Sequence, residues 1–524
     1  MSVKEAESPS SVRLPRRTFT RMLGGGAIAL VSRAPGAAGQ GAQSGSATAK
    51  GPDPTDEIIF MSATRLARLI REKKLSAVEA VQAYIARITA VNPKLNAVVQ
   101  TCFERALKEA KEADALASGG RFKGPLHGVP MTIKDSIDTE GVISTGGTVG
   151  RMNYVPKKDA TVVSRLRAAG AILLGKTNTP EFTLAGGGIA GVASTANIIY
   201  GVSRNPYDLT RSTAGSSGGA GAIVAAGGAA FDVGSDWGGS IRGPAHNNGI
   251  AGIKPTSGRV PRTGHIVDFG GVFDSWQQLG PMARRVEDLS LIMPLIVGPD
   301  FRDAAIAPVP WNDPAKVDVS GLRVAFYPEN GVAETTPETK DTVRRAAKFL
   351  EEAGCPVKED LPKSILMEME EVRFKLPRAD AWSGLKRLAD KWGTKSLSPT
   401  IVERLKLEQV TAPEYTELLE MQDALRSKLL AWVRNYDVVL CPVGGKPALP
   451  IDFGTDGPPT GPGRSYTGLY NSTGWPAAVV RAGTSPEGLP IGVQVIGQPW
   501  RDDVVLAVCG YLESKTGGWQ RPPI

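Results

Sequence analysis

Val129-Pro130-Met131-Thr132-Ile133-Lys134, the helical stretch Thr161 to Ala169 and the apolar run Ile172-Leu173-Leu174 follow one another in a chain of 524 residues. Short apolar runs of β type that alternate with helical stretches predict an α/β sheet. Upstream of them the pattern is helical: Leu66, Leu69 and Ile70 recur at helical spacing, and Ser76-x-x-Glu79 is a capping box opening the run Val78, Val81, Ile85 and Ile88. Downstream, the strand-like Asp437 to Leu440 and Ile491 to Ile496 predict a return to the same sheet. Between about 300 and 430 the chain is charge-rich and helical (Lys340 to Glu352, Glu368 to Lys375, Thr400 to Leu407, Tyr415 to Asn435), which reads as an insertion covering one side. No internal repeat is visible.

The N-terminus carries Pro15-Arg16-Arg17-Thr18-Phe19-Thr20-Arg21, a weakly apolar run from Met22 to Val31 and small residues through Ala38. Residues 1–38 are similar to a twin-arginine export signal, and the apolar run falls short of the roughly 20 residues a membrane span needs. Residues 39–55, rich in Gly, Ala, Ser and Gln, read as a linker, which leaves 56–524 as one domain. The expected location is periplasmic or secreted, or cytoplasmic if the signal is false.

The net charge is +8. Lys4, Arg13, Arg16, Arg17, Arg21 and Arg33 face only Glu5 and Glu7 in the signal, so half of the excess lies there, and no nucleic-acid partner is expected. Cys102, Cys355, Cys441 and Cys509 lie far apart without a C-x-x-C pair, which excludes a zinc ribbon or a small disulfide framework; an oxidising compartment would allow one disulfide among them. His127, His246 and His265 are the only histidines. A multi-histidine metal site would consume nearly all of them, and no metal is expected. His127 and His246 flank the motifs below and read as supporting or packing residues; His265 has no assignment.

The densest signal is Arg211-Ser212-Thr213-Ala214-Gly215-Ser216-Ser217-Gly218-Gly219, followed after an Ala/Gly-rich helical run by Gly234-Ser235-Asp236-Trp237-Gly238-Gly239-Ser240-Ile241-Arg242. One Gly/Ser cluster alone is ordinary linker chemistry. Two of them, set among Ile223, Val224, Phe231 and Val233, read as loops held rigidly on buried elements. Without Cβ atoms, Gly238 and Gly239 let consecutive peptide N–H groups turn toward one point beside Ser240, as an oxyanion hole requires. A serine hydroxyl attacks only once a base takes its proton, and with so few histidines a lysine kept neutral by burial can serve. Lys134, at the end of an apolar strand, is placed for that.

Gly128-Val129-Pro130-Met131-Thr132-Ile133-Lys134-Asp135, Gly215-Ser216-Ser217-Gly218-Gly219 and Asp236-Trp237-Gly238-Gly239-Ser240-Ile241-Arg242 together resemble the amidase signature family. The resemblance extends through Gly175-Lys176-Thr177-Asn178, Asn205-Pro206-Tyr207-Asp208, Gly252-Ile253-Lys254-Pro255-Thr256-x-Gly258-Arg259-Val260 and Gly488-Leu489-Pro490-x-Gly492-x-Gln494. It implies the amidase signature fold, one large mixed twisted β-sheet covered by helices on both sides. It also implies a Ser-Ser-Lys triad of Lys134 as base, Ser216 in a cis peptide as proton relay and Ser240 as nucleophile. The 24-residue interval from Ser216 to Ser240 resembles the family's and assigns the relay to Ser216, with Ser217 in support. Backbone N–H groups of Trp237, Gly238, Gly239 and Ser240 would bind the oxyanion, and Asp236 and Arg242 would form a buried scaffold pair.

Two positions depart from the family's pattern and bear on substrate. Gly186-Gly187-Gly188 replaces a Gly-Gly-Ser/Thr-like stretch near the acyl site, either widening a substrate pocket or making a plain turn. Trp237 stands where a smaller residue is common and either walls the pocket or packs inward. The activity implied is cleavage of carbonyl–nitrogen bonds in primary, acyl or aryl amides, or in carbamates (urethanes), through an acyl-enzyme and without cofactor; the partner is the small-molecule substrate. Two alternatives remain: the glutaminase subunit of a tRNA-dependent amidotransferase, and an exported binding protein without catalysis.

Overall fold

The computed structural model describes residues 58–184, 193–267, 276–379, 382–452 and 465–524, all within the compact unit Pro52–Ile524. The expected signal and linker (1–55) and Gly186, Gly187 and Gly188 lie outside the described residues.

Eleven strands form one mixed sheet. In chain order they are β1 (Val98–Thr101), β2 (Pro130–Lys134), β3 (Ile172–Thr177), β6 (Phe231–Asp236), β7 (Ala251–Lys254), β8 (Gln278–Ala283), β9 (Val324–Phe326), β10 (Val357–Glu359), β11 (Val438–Pro442), β12 (Ala477–Thr484) and β13 (Pro490–Gly497). β4 (Ala196–Asn197) and β5 (Gly201–Val202) pair apart from it. The spatial order is β1-β3-β2-β6-β8-β7-β12-β13-β11-β9-β10, with β3, β2 and β6 parallel and β8, β7, β12 and β13 antiparallel to their neighbours. Every residue of β2, β3, β6, β8 and β13 is buried, the pattern of strands covered on both faces.

The strand–helix–strand unit around Lys134 is the parallel one. β2 runs into helix Thr161–Ala168, which buries Val162, Val163 and Leu166, and the chain returns as β3 beside β2. The capping box is formed: Glu79 N–H donates to Ser76 Oγ at 3.0 Å and Ser76 N–H to Glu79 Oε2 at 2.8 Å, starting helix Ala77–Leu95. That helix and the short Gly218–Ala225 helix pack over β2 and β3.

The segment from 300 to 430 is not purely a cover. β9 and β10 extend the sheet at its edge beside β11, and helix Pro337–Glu352 packs on β11, β12 and β13. Strands of three residues carry too little periodicity to be read from sequence. The remainder is helical: Lys363–Lys375, Ser383–Lys391, Pro399–Leu405 and Ala412–Val433. All four cysteines are free thiols. Among the described residues no helix is long and apolar enough to cross a membrane, and no cluster of ligating side chains could hold a metal ion.

Candidate active site

β2 ends at Lys134, and its register sets the site. Lys134 pairs with Thr177 of β3 on one side, while Thr132 and Ile133 pair with Asp232 and Val233 of β6 on the other. The turn before helix Gly218–Ala225 brings in Ser216 and Ser217, and the peptide between Gly215 and Ser216 is cis. Gly234 of β6 is glycine because a Cβ there would stand 2.6 Å from Ser217 Oγ, so strand and serine loop touch without room for a side chain.

The Lys134 amine, fully buried, reaches three hydroxyls: Ser216 Oγ at 2.7 Å, Ser217 Oγ at 2.9 Å and Ser235 Oγ at 2.9 Å. Burial lowers its pKa to about 7, against the upward pull of Asp236 and Asp232. A neutral amine donates twice and accepts once, so one of the three hydroxyls must donate to it. Ser217 Oγ accepts from Ser235 N–H and donates to the Ser235 carbonyl, both at 3.3 Å. With its proton committed there, Ser217 is left as an acceptor, and the donor is Ser216 or Ser235.

Ser240 follows β6 on the bend 237–240 and is buried. Ser217 N–H donates to the Ser240 carbonyl at 3.1 Å, tying the two serine loops together. No hydrogen bond joins the Ser240 and Ser216 hydroxyls among the described residues. Asp236 and Arg242 form a fully buried ion pair at 2.9 Å. Burial alone would raise the Asp236 pKa, but the Arg242 charge and hydrogen bonds outweigh it and hold the carboxyl well below the usual range. Arg242 extends the pair to the Thr467 carbonyl (2.9 Å), Gln494 Oε1 (2.6 Å) and Asn471 Oδ1. Thr467 Oγ1 donates to the Gly238 carbonyl at 2.9 Å.

Gly239 needs its missing side chain twice over: its φ is +113°, and a Cβ would stand 2.3 Å from Thr467 Oγ1. Its amide, expected to face substrate, donates instead to Asp236 Oδ1 at 2.8 Å, because the carboxylate sits inside the bend and gathers the Gly239 and Ile241 amides. The amides of Gly238 and Ser240 donate to no group among the described residues. Trp237, half-buried, packs its indole against Trp276 (centroids 5.4 Å apart) and Trp382 (6.0 Å).

The histidines stand apart from this chemistry. His127 and His246 are held by backbone groups, Lys123 N–H and the Ala113 carbonyl for the first, Gly492 N–H and the Lys446 carbonyl for the second. Burial, then the Lys134 charge, lowers the His265 pKa to about 3, so it stays neutral. Sequence reasoning does not single out Ser235, Asp232, Thr467, Asn471, Trp276 or Trp382. Ser235 and Asp232 sit inside a recognised motif and its leading strand; nothing local marks the other four.

The sequence profile of the amidase family matches residues 79–506. One subunit of the glutamyl-tRNA(Gln) amidotransferase of Moorella thermoacetica is 36% identical over 495 residues, spanning 89% of this chain and 99% of that one. The indoleacetamide hydrolase of Bradyrhizobium diazoefficiens is 34% identical over 505 residues, spanning 88% of each. Among solved structures, 6-aminohexanoate cyclic dimer hydrolase complexed with substrate superposes with a TM-score of 0.78 at 29% identity, over 89% of this chain and 99% of that one. A match of that extent makes the chain a member of the amidase family, and the activity it carries is the hydrolysis of amides.

Proposed function

We propose that the enzyme cleaves the carbonyl–nitrogen bond of small amides, primary, acyl or aryl, or of carbamates, by a Ser240-Ser216-Lys134 relay through an acyl-enzyme. The observation that carries this reading is the buried Lys134 amine, 2.7 Å from Ser216 Oγ in a site where burial favours its neutral form. Ser240 Oγ attacks the carbonyl carbon; the new C–O bond forms as the C=O π pair moves to oxygen. The Ser240 proton passes to Ser216, whose own proton goes to Lys134 Nζ. The Ser240–Ser216 hydrogen bond closes when substrate binds, since such contacts tighten in the Michaelis complex. The amides of Gly238 and Ser240, with that of Trp237 beside them, stabilise the oxyanion, each donor contributing on the order of 100- to 1000-fold in rate. The C–N bond then breaks as Lys134, through Ser216, protonates the leaving nitrogen. A water molecule repeats the sequence on the ester, giving the free acid and restoring Ser240.

The test is intact mass spectrometry after exposure to a fluorophosphonate, with aryl amides and carbamates assayed in parallel. An adduct on Ser240 that is lost in Ser240→Ala and slowed in Lys134→Ala supports the relay; equal labelling of the Lys134→Ala variant sinks it.

A second reading, the glutaminase subunit of a tRNA-dependent amidotransferase, is favoured by the 36% identity to the Moorella protein. Glutamine hydrolysis that requires added partner subunits and aminoacyl-tRNA would establish it, and turnover of simple amides by the chain alone supports the first reading. The binding-protein alternative falls with membership of a hydrolytic family. For location, we propose export by the twin-arginine route; Arg16→Lys with Arg17→Lys should retain the protein in the cytoplasm on cell fractionation.

A further inference from the structure

Beside the base lies a second buried acid that the relay does not use. Asp232, on β6, is fully buried, and its Oδ2 accepts from Thr132 Oγ1 at 2.6 Å and from Thr177 Oγ1 at 3.0 Å. Thr132 lies two residues before Lys134 on β2, and Thr177 is the ladder partner of Lys134 on β3. Strand alternation puts Thr132, Lys134 and Thr177 on one side of the sheet; the Thr132 hydroxyl reaches its ladder partner Asp232 directly and the Thr177 hydroxyl reaches it across β2. The carboxylate therefore rests over β2, next to the lysine stem. Its other oxygen, Oδ1, is buried with no hydrogen-bond partner among the described residues.

Charge balance separates this acid from its neighbour. Asp236 also acts on Lys134, yet it is neutralised by Arg242 in an ion pair at 2.9 Å. Asp232 has no ion pair among the described residues; the cations that act on it are Lys176 and Lys134. Lys176 is matched first by Asp135, then by Asp138. Among the described residues, helix Gly218–Ala225 and β8 carry no ionisable side chain, Tyr84 of helix Ala77–Leu95 is bonded to Arg284 at 3.1 Å, and His265, on which the Lys134 charge acts, stays neutral.

We propose that Asp232 is the counter-charge of the base, a positioning residue whose buried carboxylate stabilises the ammonium formed at Lys134 while the tetrahedral intermediate stands. A proton arriving on a buried amine creates a charge in low dielectric, which is strongly disfavoured unless an opposite charge lies beside it. The two hydroxyls hold the carboxylate where that charge appears, and its unpartnered oxygen leaves it free to respond. Burial raises the Asp232 pKa to about 6, less than it would without the threonine hydrogen bonds and the two lysines, so the group is ionised where Lys134, at about 7, is neutral and able to act.

The inference rests on Lys134 being the base, and its test keeps the two claims apart. The rate of Ser240 labelling by a fluorophosphonate is followed from pH 5 to 9 in the wild type, Asp232→Asn and Lys134→Ala, with thermal midpoints measured alongside. Removing the negative charge makes the amine easier to deprotonate and a weaker base. Asp232→Asn should therefore move the acid limb about one unit toward lower pH and lower the plateau roughly three- to tenfold. Thr177→Val, which keeps the carboxylate but removes one of its hydrogen bonds, should move the limb the same way by less, and it serves if the Asn variant does not fold. An acid limb unmoved in the folded variants, whatever the thermal midpoint does, assigns Asp232 a structural role only and overturns the proposal. Labelling of Lys134→Ala at the wild-type rate removes the base itself, and the proposal falls with that reading instead.

Discussion

Two buried lysines stand on adjacent strands, Lys134 ending β2 and Lys176 within β3, and burial lowers both, to about 7 and about 8. Their partners differ. Lys134 meets three serine hydroxyls, two of which, Ser216 and Ser217, belong to the loop tied to Ser240. Lys176 donates to the Ile137 carbonyl, Thr139 Oγ1 and Ser144 Oγ, and Asp135, whose carboxylate gathers the Thr145 and Gly146 amides, is the first acid to pull its pKa back up. A depressed pKa does not by itself make a base. On the proposed relay, what separates the two is that the hydroxyls at Lys134 lie on the loop tied to Ser240, whereas those at Lys176 pin a turn.

The contrast can be broken most sharply by turnover. Lys134→Met should lower amide hydrolysis by at least about 1000-fold, in the range of other relay deletions, while the protein stays folded. Lys176→Met should leave kcat per folded molecule within a few-fold of wild type. Equal losses in two well-folded variants would erase the distinction.

Stability should divide them the other way. Lys176→Met removes the donor to the buried Ile137 carbonyl, Thr139 Oγ1 and Ser144 Oγ and the cation that acts most on Asp135, and should cost about 3 kcal/mol in urea unfolding. The pH dependence of folding sharpens the case for Lys134. Its folded pKa lies below the ordinary 10.5, so between about pH 7 and 10.5 the unfolded chain binds a proton that the folded chain does not. Stability contributed by this group therefore rises with pH across that window, by up to about 1.4 kcal/mol per unit, and the Lys134→Met variant should lack that slope. Turnover should follow the same group, climbing as pH passes through about 7. The smallest effect belongs to the frame around the bend: Thr467→Val deletes one hydrogen bond to Gly238 and should lower kcat about fivefold, roughly 1 kcal/mol, with KM little changed.

The parts of this site legible in sequence are those whose chemistry is local. A β-type run ending in Lys134, and serines packed among glycines, carry their meaning in a handful of neighbours, and the β2-helix-β3 unit shows its period directly. Asp232 stays hidden because an acid among Phe231, Val233 and Gly234 reads as one polar position in a strand; only the register reveals the two threonine hydroxyls aimed at it. Gly239 misleads because flexible backbone suggests a free amide, whereas the Asp236 side chain three residues earlier already holds it. Trp276 and Trp382, which pack against Trp237, and the edge strands β9 and β10 depend on contacts between distant segments that no local pattern encodes.

The buried Arg242 network has a consequence in time. Lys134, Ser216 and Ser240 all lie in the first half of the chain, but the guanidinium that shapes their loop is satisfied by the Thr467 carbonyl, Asn471 and Gln494, more than two hundred residues later. During synthesis from the N-terminus, the serines of the proposed relay leave the ribosome long before the groups that lock their bend, and until then Arg242 has only Asp236 for company. Contacts of such sequence separation form late. The nascent polypeptide thus carries the residues of the proposed relay unarmed, and hydrolytic competence should arrive in a single step, when β13 docks and the last strands are in place.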